Sequence, residues 1–187
     1  MAQPLYTIGH STRSIDELIV LLRENGVALL IDVRQFPSSR RHPQFNQTPL
    51  AQSLEEAGIA YRHEVALGGR RPVQAHSPNT GWREPGFQGY ADYMLTDAFQ
   101  QALDRLIEDS QTQRTAVMCA EAVPWRCHRQ LIADAVTVRG FEVLHILSAG
   151  VCKPHQLTDF AEVESPARIV YPPPQGQLEL DEPPRDS

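Results

Sequence analysis

Residues 5–33, LYTIGHSTRSIDELIVLLRENGVALLIDV, decide the fold. The apolar run at 5–8 predicts a strand, and Ser14 precedes Glu17 by three residues, the spacing of a helix capping box. Apolar residues then recur at helical spacing to residue 24, and the nearly continuous apolar run at 27–33 predicts a strand buried on both faces. Two strands joined by a helix form a βαβ unit, so we expect an α/β fold with a parallel sheet.

The rest of the chain extends this sheet. Apolar runs at 59–65, 116–119 and 141–147 predict further strands, giving a single domain with a mostly parallel sheet of about five strands flanked by helices. Helices are predicted near 49–57, over 90–109, from residue 127 onward and near 157–160. Residues 67–88 lack any period and predict a long irregular loop. The acidic, proline-rich residues 165–187 predict a disordered C-terminal tail, which leaves residues 1–164 as the domain.

Composition limits the classes of protein and the partners. The chain has 187 residues, no apolar stretch long enough for a membrane span, and no signal pattern in its first ten residues. Three unevenly spaced cysteines do not resemble a disulfide framework, so we expect a cytoplasmic protein. A net charge of −6 argues against a protein that coats nucleic acid, but seven arginines between residues 34 and 83 predict a local basic face.

Polar side chains follow each predicted strand. His10 and Ser11 follow the first strand, Asp32 and Arg34 end the second, Cys119 and Glu121 end the fourth, and His145 lies near the end of the last. The carboxyl ends of parallel strands meet at one edge of a sheet, where open α/β folds bind their ligands. We therefore expect these side chains to share a pocket.

Cys127 and His128 begin a predicted helix, between Arg126 and Arg129. A helix N-terminus and nearby cations stabilise a thiolate and bind anions. This arrangement predicts an enzyme in which Cys119 or Cys127 is the nucleophile, His10, His128 or His145 is the base, and Glu121 helps to move protons. Six residues separate Cys119 from Arg126 without a glycine, so the segment does not match a phosphatase or rhodanese loop, and no dinucleotide or Walker motif is present.

The expected ligand is an anionic small molecule, nucleotide or nucleic-acid component that carries phosphate or carboxylate. Its predicted contacts are Ser11, Asp32, Arg34, Arg40, Arg41, Arg70, Arg71, Trp82, Arg126 and Arg129, with Trp82 stacking on the ligand or closing a lid. Each group also has a structural alternative: the thiols and His145 as core residues, Asp32 with Arg34 as an ion pair, and the arginines as a solvated surface.

Two other functions remain open on sequence alone. The arginine- and aromatic-rich loops at 34–46 and 67–88 are compatible with a non-catalytic module that binds nucleic acid or protein. Cys119, Cys127, His128 and His145 have the ligand types of a divalent metal site but no paired C-x-x-C spacing, so no cofactor is predicted.

Several motifs together resemble one bacterial family, the domain of unknown function 488. The resembling motifs are TIGHST at 7–12, IDVR at 31–34, RRHPQFN at 40–46, LGGRR at 67–71, NTGWR at 79–83, GYADYM at 89–94, CAEAVPWRCHR at 119–129 and HI at 145–146. The resemblance spans about residues 5 to 163 and implies a compact α/β domain in a cytoplasmic protein. It implies no reaction, since none is established for the family.

Overall fold

The structure is a computed structural model that describes residues 2–175. Its strands are β1 Leu5–Gly9, β2 Leu29–Asp32, β3 Ala60–His63, β4 Thr115–Cys119, β5 Val143–Ser148, β6 Val151–Pro154, β7 Glu162–Ser165 and β8 Arg168–Val170. Its α-helices are α1 Ile15–Glu24, α2 Gln47–Glu56, α3 Pro85–Met94, α4 Asp97–Thr112 and α5 Arg129–Val138. None of the helices in the described part of the chain has the length and apolar character that crossing a membrane requires.

One sheet in the order β3-β2-β4-β1-β5-β6 forms the centre of the domain. β1 to β5 are parallel, as the βαβ unit predicts, and β6 is an antiparallel edge strand that adds to the five predicted strands. Residues of β1, β2 and β4 are buried on both faces. The predicted α/β class is confirmed.

Helices cover both faces of the sheet. α1 and α2 pack on one face, around Leu22, Leu30 and Leu54, while α3, α4 and α5 pack on the other, around Val117, Leu106 and Leu131. The connection from β1 to β2 runs through α1 on the first face, and the connection from β4 to β5 runs through α5 on the second face in the opposite direction along the sheet. The adjacent carboxyl ends of β1 and β4 therefore lie at the point where the sheet changes direction, the usual ligand site of such folds.

Two predicted helices differ from the structure. The helix predicted over 90–109 is two helices, because the Thr96 hydroxyl accepts from the Phe99 backbone N–H and caps a new helix. The short helix predicted near 157–160 does not form. There, Thr158 instead donates its backbone N–H and its hydroxyl to the Asp134 carboxylate.

The domain continues beyond the predicted boundary at residue 164. β7 and β8 form a hairpin, Ile169 and Val170 are buried, and Tyr171 donates its hydroxyl to Asp134 at 2.8 Å. Residues 165–171, assigned to the tail from their composition, therefore belong to the packed domain. The prediction of disorder for residues 176–187 falls outside the described residues.

The long loop before α3 is irregular, as predicted, but Asp92 ties it to the domain. Its carboxylate accepts from Gln74 N at 2.8 Å, Ser77 Oγ at 2.5 Å and Asn79 Nδ2 at 2.7 Å. Asn79 in turn accepts from the Tyr171 backbone N–H at 2.9 Å. These bonds connect the loop to α3 and to the C-terminal hairpin.

Candidate active site

A cleft of about 1030 Å³ opens at the carboxyl ends of β1, β2 and β4. Its walls are the loops that follow these three strands, together with Gly69, Arg70, Glu84, Gly86 and Phe87. The cleft therefore occupies the switch point of the sheet, where the sequence predicts a site.

Backbone hydrogen bonds hold the loops after β1 and β4 together. His10 N donates to Cys119 O and Ser11 N donates to Ala120 O, both at 3.0 Å. A Cβ on Gly9 would lie 1.6 Å from the Glu121 backbone oxygen, so only glycine allows this approach. Ser11 adopts a positive φ of 49°, unusual outside glycine. The contact places His10 next to Cys119 at the end of β4.

Cys119 and Cys127 form a thiol pair at the floor of the cleft. Arg129 contacts both: its Nε–H donates to Cys119 Sγ at 3.0 Å, and its backbone N–H donates to Cys127 Sγ at 3.5 Å. Burial, together with the neighbouring Cys127, raises the pKa of Cys119 well above its ordinary value. Burial also opposes ionisation of Cys127, but the Cys119 thiol and the charge of Arg129 outweigh it and lower the pKa of Cys127. Cys127 is therefore the sulfur that ionises first.

Nδ1 of His128 faces Cys127. Its Nε2–H donates to the Val33 backbone oxygen at 2.8 Å, which leaves Nδ1 as an acceptor 3.5 Å from Cys127 Sγ. Burial lowers the pKa of His128, so the ring is neutral at neutral pH. A Cβ on Gly69 would lie 3.1 Å from Nδ1, so this glycine gives the ring its space. A nucleophile, a base and an orienting carbonyl are the parts that covalent catalysis requires.

His10 and Arg34 form the opposite side of the cleft. His10 Nδ1–H donates to Ser11 O at 2.9 Å, and Arg34 Nη1 lies 3.4 Å from His10 Nε2. Burial and the charge of Arg34 lower the pKa of His10 to about 4. A neutral imidazole and a guanidinium therefore face the cleft together. Because His10 is uncharged, the positive charge that this pair offers to an anion belongs to Arg34 alone.

Asp32 holds Arg34 from below. Its carboxylate accepts from Arg34 Nε at 2.9 Å and Nη2 at 2.7 Å, and from the Tyr61 hydroxyl at 2.7 Å. The Phe45 backbone oxygen accepts from Arg34 Nη2 at 2.6 Å. This buried bidentate pair fixes the guanidinium plane and leaves Nη1 on the cleft side, where it lies within hydrogen-bond distance of His10 Nε2.

The cleft is rich in positive charge. Arg34, Arg41, Arg70 and Arg126 line it, against two carboxylates, Glu84 and Glu121. All except Arg34 are exposed, so their side chains can approach a bound ligand. Four guanidiniums around neutral imidazoles suit a phosphate or carboxylate.

The structure brings together most of the predicted site residues. Those that line the cleft are His10, Ser11, Arg34, Arg41, Arg70, Cys119, Glu121, Arg126, Cys127 and His128. The remaining ones are Asp32, Arg40, Arg71, Trp82, Arg129 and His145, none of which lines it. Asp32 and Arg129 support cleft residues from behind, whereas the other four have different surroundings.

Two of the predicted ligand contacts are structural. Trp82 packs against the core, with its ring stacked 4.8 Å from that of Phe87 and near Tyr171, so it does not close the cleft. The Arg71 guanidinium lies 3.8 Å from the centre of the Tyr93 ring and donates to the Gly68 and Val65 carbonyls. Both side chains hold the long loop in place, and Arg40 is exposed outside the cleft wall.

His145 lies inside the domain, away from the thiols. Its Nδ1 is 2.6 Å from the Thr7 hydroxyl and its Nε2 is 2.9 Å from His155 Nδ1. Burial and the neighbouring His155 and Arg129 lower the pKa of His145 to about 3. Nε2 of His155 in turn lies 2.7 Å from Asp134 Oδ1. His145 is therefore a member of a buried polar network.

The metal alternative lacks a complete ligand set. His145 faces Thr7 and His155 and cannot join Cys119, Cys127 and His128. Within residues 2–175, no group of three or more His, Cys, Asp and Glu side chains is arranged to hold a metal ion.

Sequence reasoning missed several side chains of the cleft, and His42, Phe36 and Trp125 are three of them. His42 lies 6.3 Å from the His10 ring, and two exposed aromatic residues, Phe36 and Trp125, stand at the cleft wall. Phe36 comes two residues after the predicted site residue Arg34, and Trp125 comes directly before Arg126. Their closeness in sequence to predicted site residues could have indicated that they line the cleft. Neither residue is part of a periodic pattern.

The fold and the cleft define a class of protein: a mostly parallel α/β domain with thiol, imidazole and guanidinium groups at the switch point of its sheet. The chain belongs to the family described as Domain of unknown function DUF488, whose model matches residues 14–136. The predicted family resemblance is confirmed, and the match includes both cleft thiols and His128. No curated protein and no solved structure matches the chain.

Proposed function

We propose that the protein is a thiol-dependent enzyme that acts on an anionic small molecule bearing phosphate or carboxylate. The observation that carries this proposal is the geometry of Cys127, which has a neutral imidazole on one side and opens into a cleft with four guanidiniums. An activated nucleophile and an anion site in one cavity are the two requirements of such an enzyme.

Cys127 is the proposed nucleophile and His128 its base. The Cys127 proton passes to His128 Nδ1, and the sulfur bonds to an electrophilic carbon or phosphorus of the substrate. The bond to the leaving group breaks, and His128 returns the proton to that group. Cys119 remains a thiol and, with Arg129, stabilises the thiolate that forms between these steps.

The arginines are proposed to hold the anionic group of the substrate. Arg34 is the best prepared of them, because Asp32 fixes its plane and Nη1 faces His10 and the cleft. Arg41, Arg70 and Arg126 are exposed and approach from the rim. Glu121, also at the rim, is available for proton transfer to solvent.

Cysteine alkylation followed across pH tests this proposal. Iodoacetamide should modify Cys127 with an apparent pKa below the ordinary value of about 8.5, and inorganic phosphate should slow the reaction. The site of labelling is read by peptide mass spectrometry. Cys152, which donates to Asn25 away from the cleft, is the internal control and should show no protection by phosphate. An ordinary pKa for Cys127 with no protection by anions would reject the proposal.

A second function is a non-catalytic module that binds nucleic acid through the exposed arginines Arg41, Arg70 and Arg126. This function requires steeply salt-dependent binding to an oligonucleotide and no effect of Cys127→Ser on it. We place either function in the cytoplasm, because a reducing compartment keeps a buried thiol pair available for chemistry.

A further inference from the structure

The exposed aromatic residues of the cleft carry one further inference. Phe36 is 64% exposed and Trp125 is 61% exposed, and both line the cleft. Every other Phe, Trp and Tyr within residues 2–175 is at least partly buried. Exposed rings that occur only at the wall of a ligand site indicate a surface that a ligand covers.

The backbone holds Trp125 outward. Trp125 is the middle residue of a short 3-10 helix, Pro124–Arg126, in which Pro124 is buried. Arg126 N donates to Val123 O at 3.3 Å and Cys127 N donates to Pro124 O at 3.0 Å. The same turn therefore positions the indole and the thiol.

Phe36 has a comparable position on the other strand-end loop. It follows Arg34 by two residues, and the Arg70 guanidinium lies 5.6 Å from the centre of its ring. Phe36 therefore lies beside Arg70, and Trp125 and Arg126 are consecutive residues of one 3-10 helix in the cleft wall. This pairing suits a ligand that combines a flat ring with an anionic group.

The cleft also has room for more than an anion. Its volume of about 1030 Å³ slightly exceeds the usual range of small-molecule sites, about 300–1,000 Å³. A phosphate or carboxylate alone would leave the aromatic wall uncovered. A nucleobase would cover it, because every base presents a π face for stacking.

We infer that the anionic ligand is a nucleotide, whose base stacks on Trp125 and Phe36 while its phosphate binds the arginines. This inference rests on the proposed function, since it assigns the substrate class of the same cleft. The phosphate end is the part that Arg34 and His10 meet near the thiol pair.

Ligand titrations with matched probes test the inference. The probes are AMP, GMP, CMP and UMP, with ribose 5-phosphate as the phosphate without a base and adenosine as the base without a phosphate. At least one nucleotide should bind about five-fold or more tightly than ribose 5-phosphate, the lower end of what stacking on one ring contributes. Trp125→Ala and Phe36→Ala should each remove much of that advantage and leave the affinity for ribose 5-phosphate unchanged.

Tryptophan fluorescence supplies an independent signal. The chain has two tryptophans, Trp125 at the cleft and Trp82 against the core. Nucleotide binding should quench the emission, and Trp125→Phe should abolish the quenching but keep most of the affinity, because phenylalanine still stacks. Val151→Ala removes an exposed apolar side chain outside the cleft and should change neither signal.

The outcomes separate the inference from the proposed function. If ribose 5-phosphate binds and protects Cys127 as well as any nucleotide does, the nucleotide inference is rejected and the proposed enzyme stands. If no phosphate compound binds and Cys127 has an ordinary pKa, the proposed function fails and the inference fails with it. An oligonucleotide that binds far more tightly than every mononucleotide, with steep salt dependence, would also overturn the inference in favour of a nucleic-acid strand.

Discussion

Arg129 Nε lies 3.0 Å from Cys119 Sγ, with the guanidinium completely buried. The same group donates through Nη1 to the Thr7 hydroxyl at 3.0 Å and through Nη2 to the Glu121 backbone oxygen at 2.9 Å. The Arg129 side chain therefore lowers the pKa of Cys127 and also holds the loop after β4 through Glu121. All three guanidinium nitrogens donate to protein acceptors and the residue is buried, so Arg129 supports the cleft from behind.

Replacing Arg129 should weaken both functions of the side chain. Arg129→Met leaves the Thr7, Cys119 and Glu121 acceptors buried without their donor, so we expect a loss of about 3 kcal/mol or more in the free energy of unfolding. The apparent pKa of Cys127 should rise, because the positive charge that lowers it is gone. Urea unfolding and the alkylation profile measure the two effects.

Arg129→Lys is the matched control, because lysine keeps the charge without the planar fork. It should restore part of the low Cys127 pKa but little of the stability. Equal alkylation profiles for the Met and Lys variants and the unmodified protein would contradict the electrostatic role of Arg129.

Gly9→Ala should separate two of the loops that form the cleft, those after β1 and β4. The new Cβ would lie 1.6 Å from the Glu121 oxygen, so the backbone must move. We expect destabilisation of at least the 1–3 kcal/mol typical of overpacking, with faster alkylation of Cys119 as the loop opens. Gly86→Ala is the control: its Cβ meets nothing within 4 Å, and alanine favours the helix, so stability should stay equal or increase. A Gly9→Ala protein as stable as the parent would show that the loop contact contributes little.

Asp32→Asn should impair anion binding indirectly, because Asp32 does not line the cleft but orients Arg34, which does. The change leaves the buried Arg34 guanidinium without its bidentate partner, which typically costs about 3–5 kcal/mol. Phosphate protection of Cys127 should weaken, since Arg34 loses its fixed orientation. Tyr61→Phe removes only one donor to the same carboxylate, so it should cost about 1 kcal/mol and retain protection.

Stability should fall as the solution becomes acidic. The pKa of His145 is lowered from 6.5 to about 3 and that of His10 from 6.5 to about 4. Below pH 6.5 the unfolded chain takes up protons at these residues while the folded protein does not, which favours unfolding. Their contribution is complete above pH 6.5 and is lost progressively as the pH falls towards 3 to 4.

Urea unfolding between pH 4 and pH 8 measures this dependence. His145→Gln should make the midpoint less sensitive to pH, although the variant is less stable overall because the bonds to Thr7 and His155 change. His76→Asn alters an exposed histidine of the long loop and should leave the pH dependence unchanged. A His145→Gln protein with the full pH dependence would show that His145 does not cause it.

The sequence was sufficient to predict which strand ends meet, because that follows from the parallel order alone. His10, Arg34 and Cys119 each come directly after or at the end of a buried strand and do share the cleft. His145 does not, because register decides its position: it pairs with Thr7, in the middle of the sheet and short of the strand end at Ser148. A register of this kind depends on contacts between distant residues.

Contacts between distant residues also decide which of the two tryptophans is buried. Trp82 and Trp125 both lie in irregular segments, where no period distinguishes a core ring from a surface ring. Trp82 is covered by Phe160 and Tyr171, which come about eighty residues later in the chain. The composition of residues 165–187 similarly concealed the β7–β8 hairpin, because prolines and acids surround the short apolar run at 169–171.

The Tyr171 hydroxyl donates to Asp134, and Asp134 stands five positions after Arg129 on α5. A chain shortened before residue 171 would lack this bond, and α5, whose first residue Arg129 contacts Cys119 and Cys127, would lose one of the contacts that hold its Asp134. A shortened protein prepared for crystallisation should therefore keep the hairpin, because the packing of α5 depends in part on residues far from the cleft in sequence.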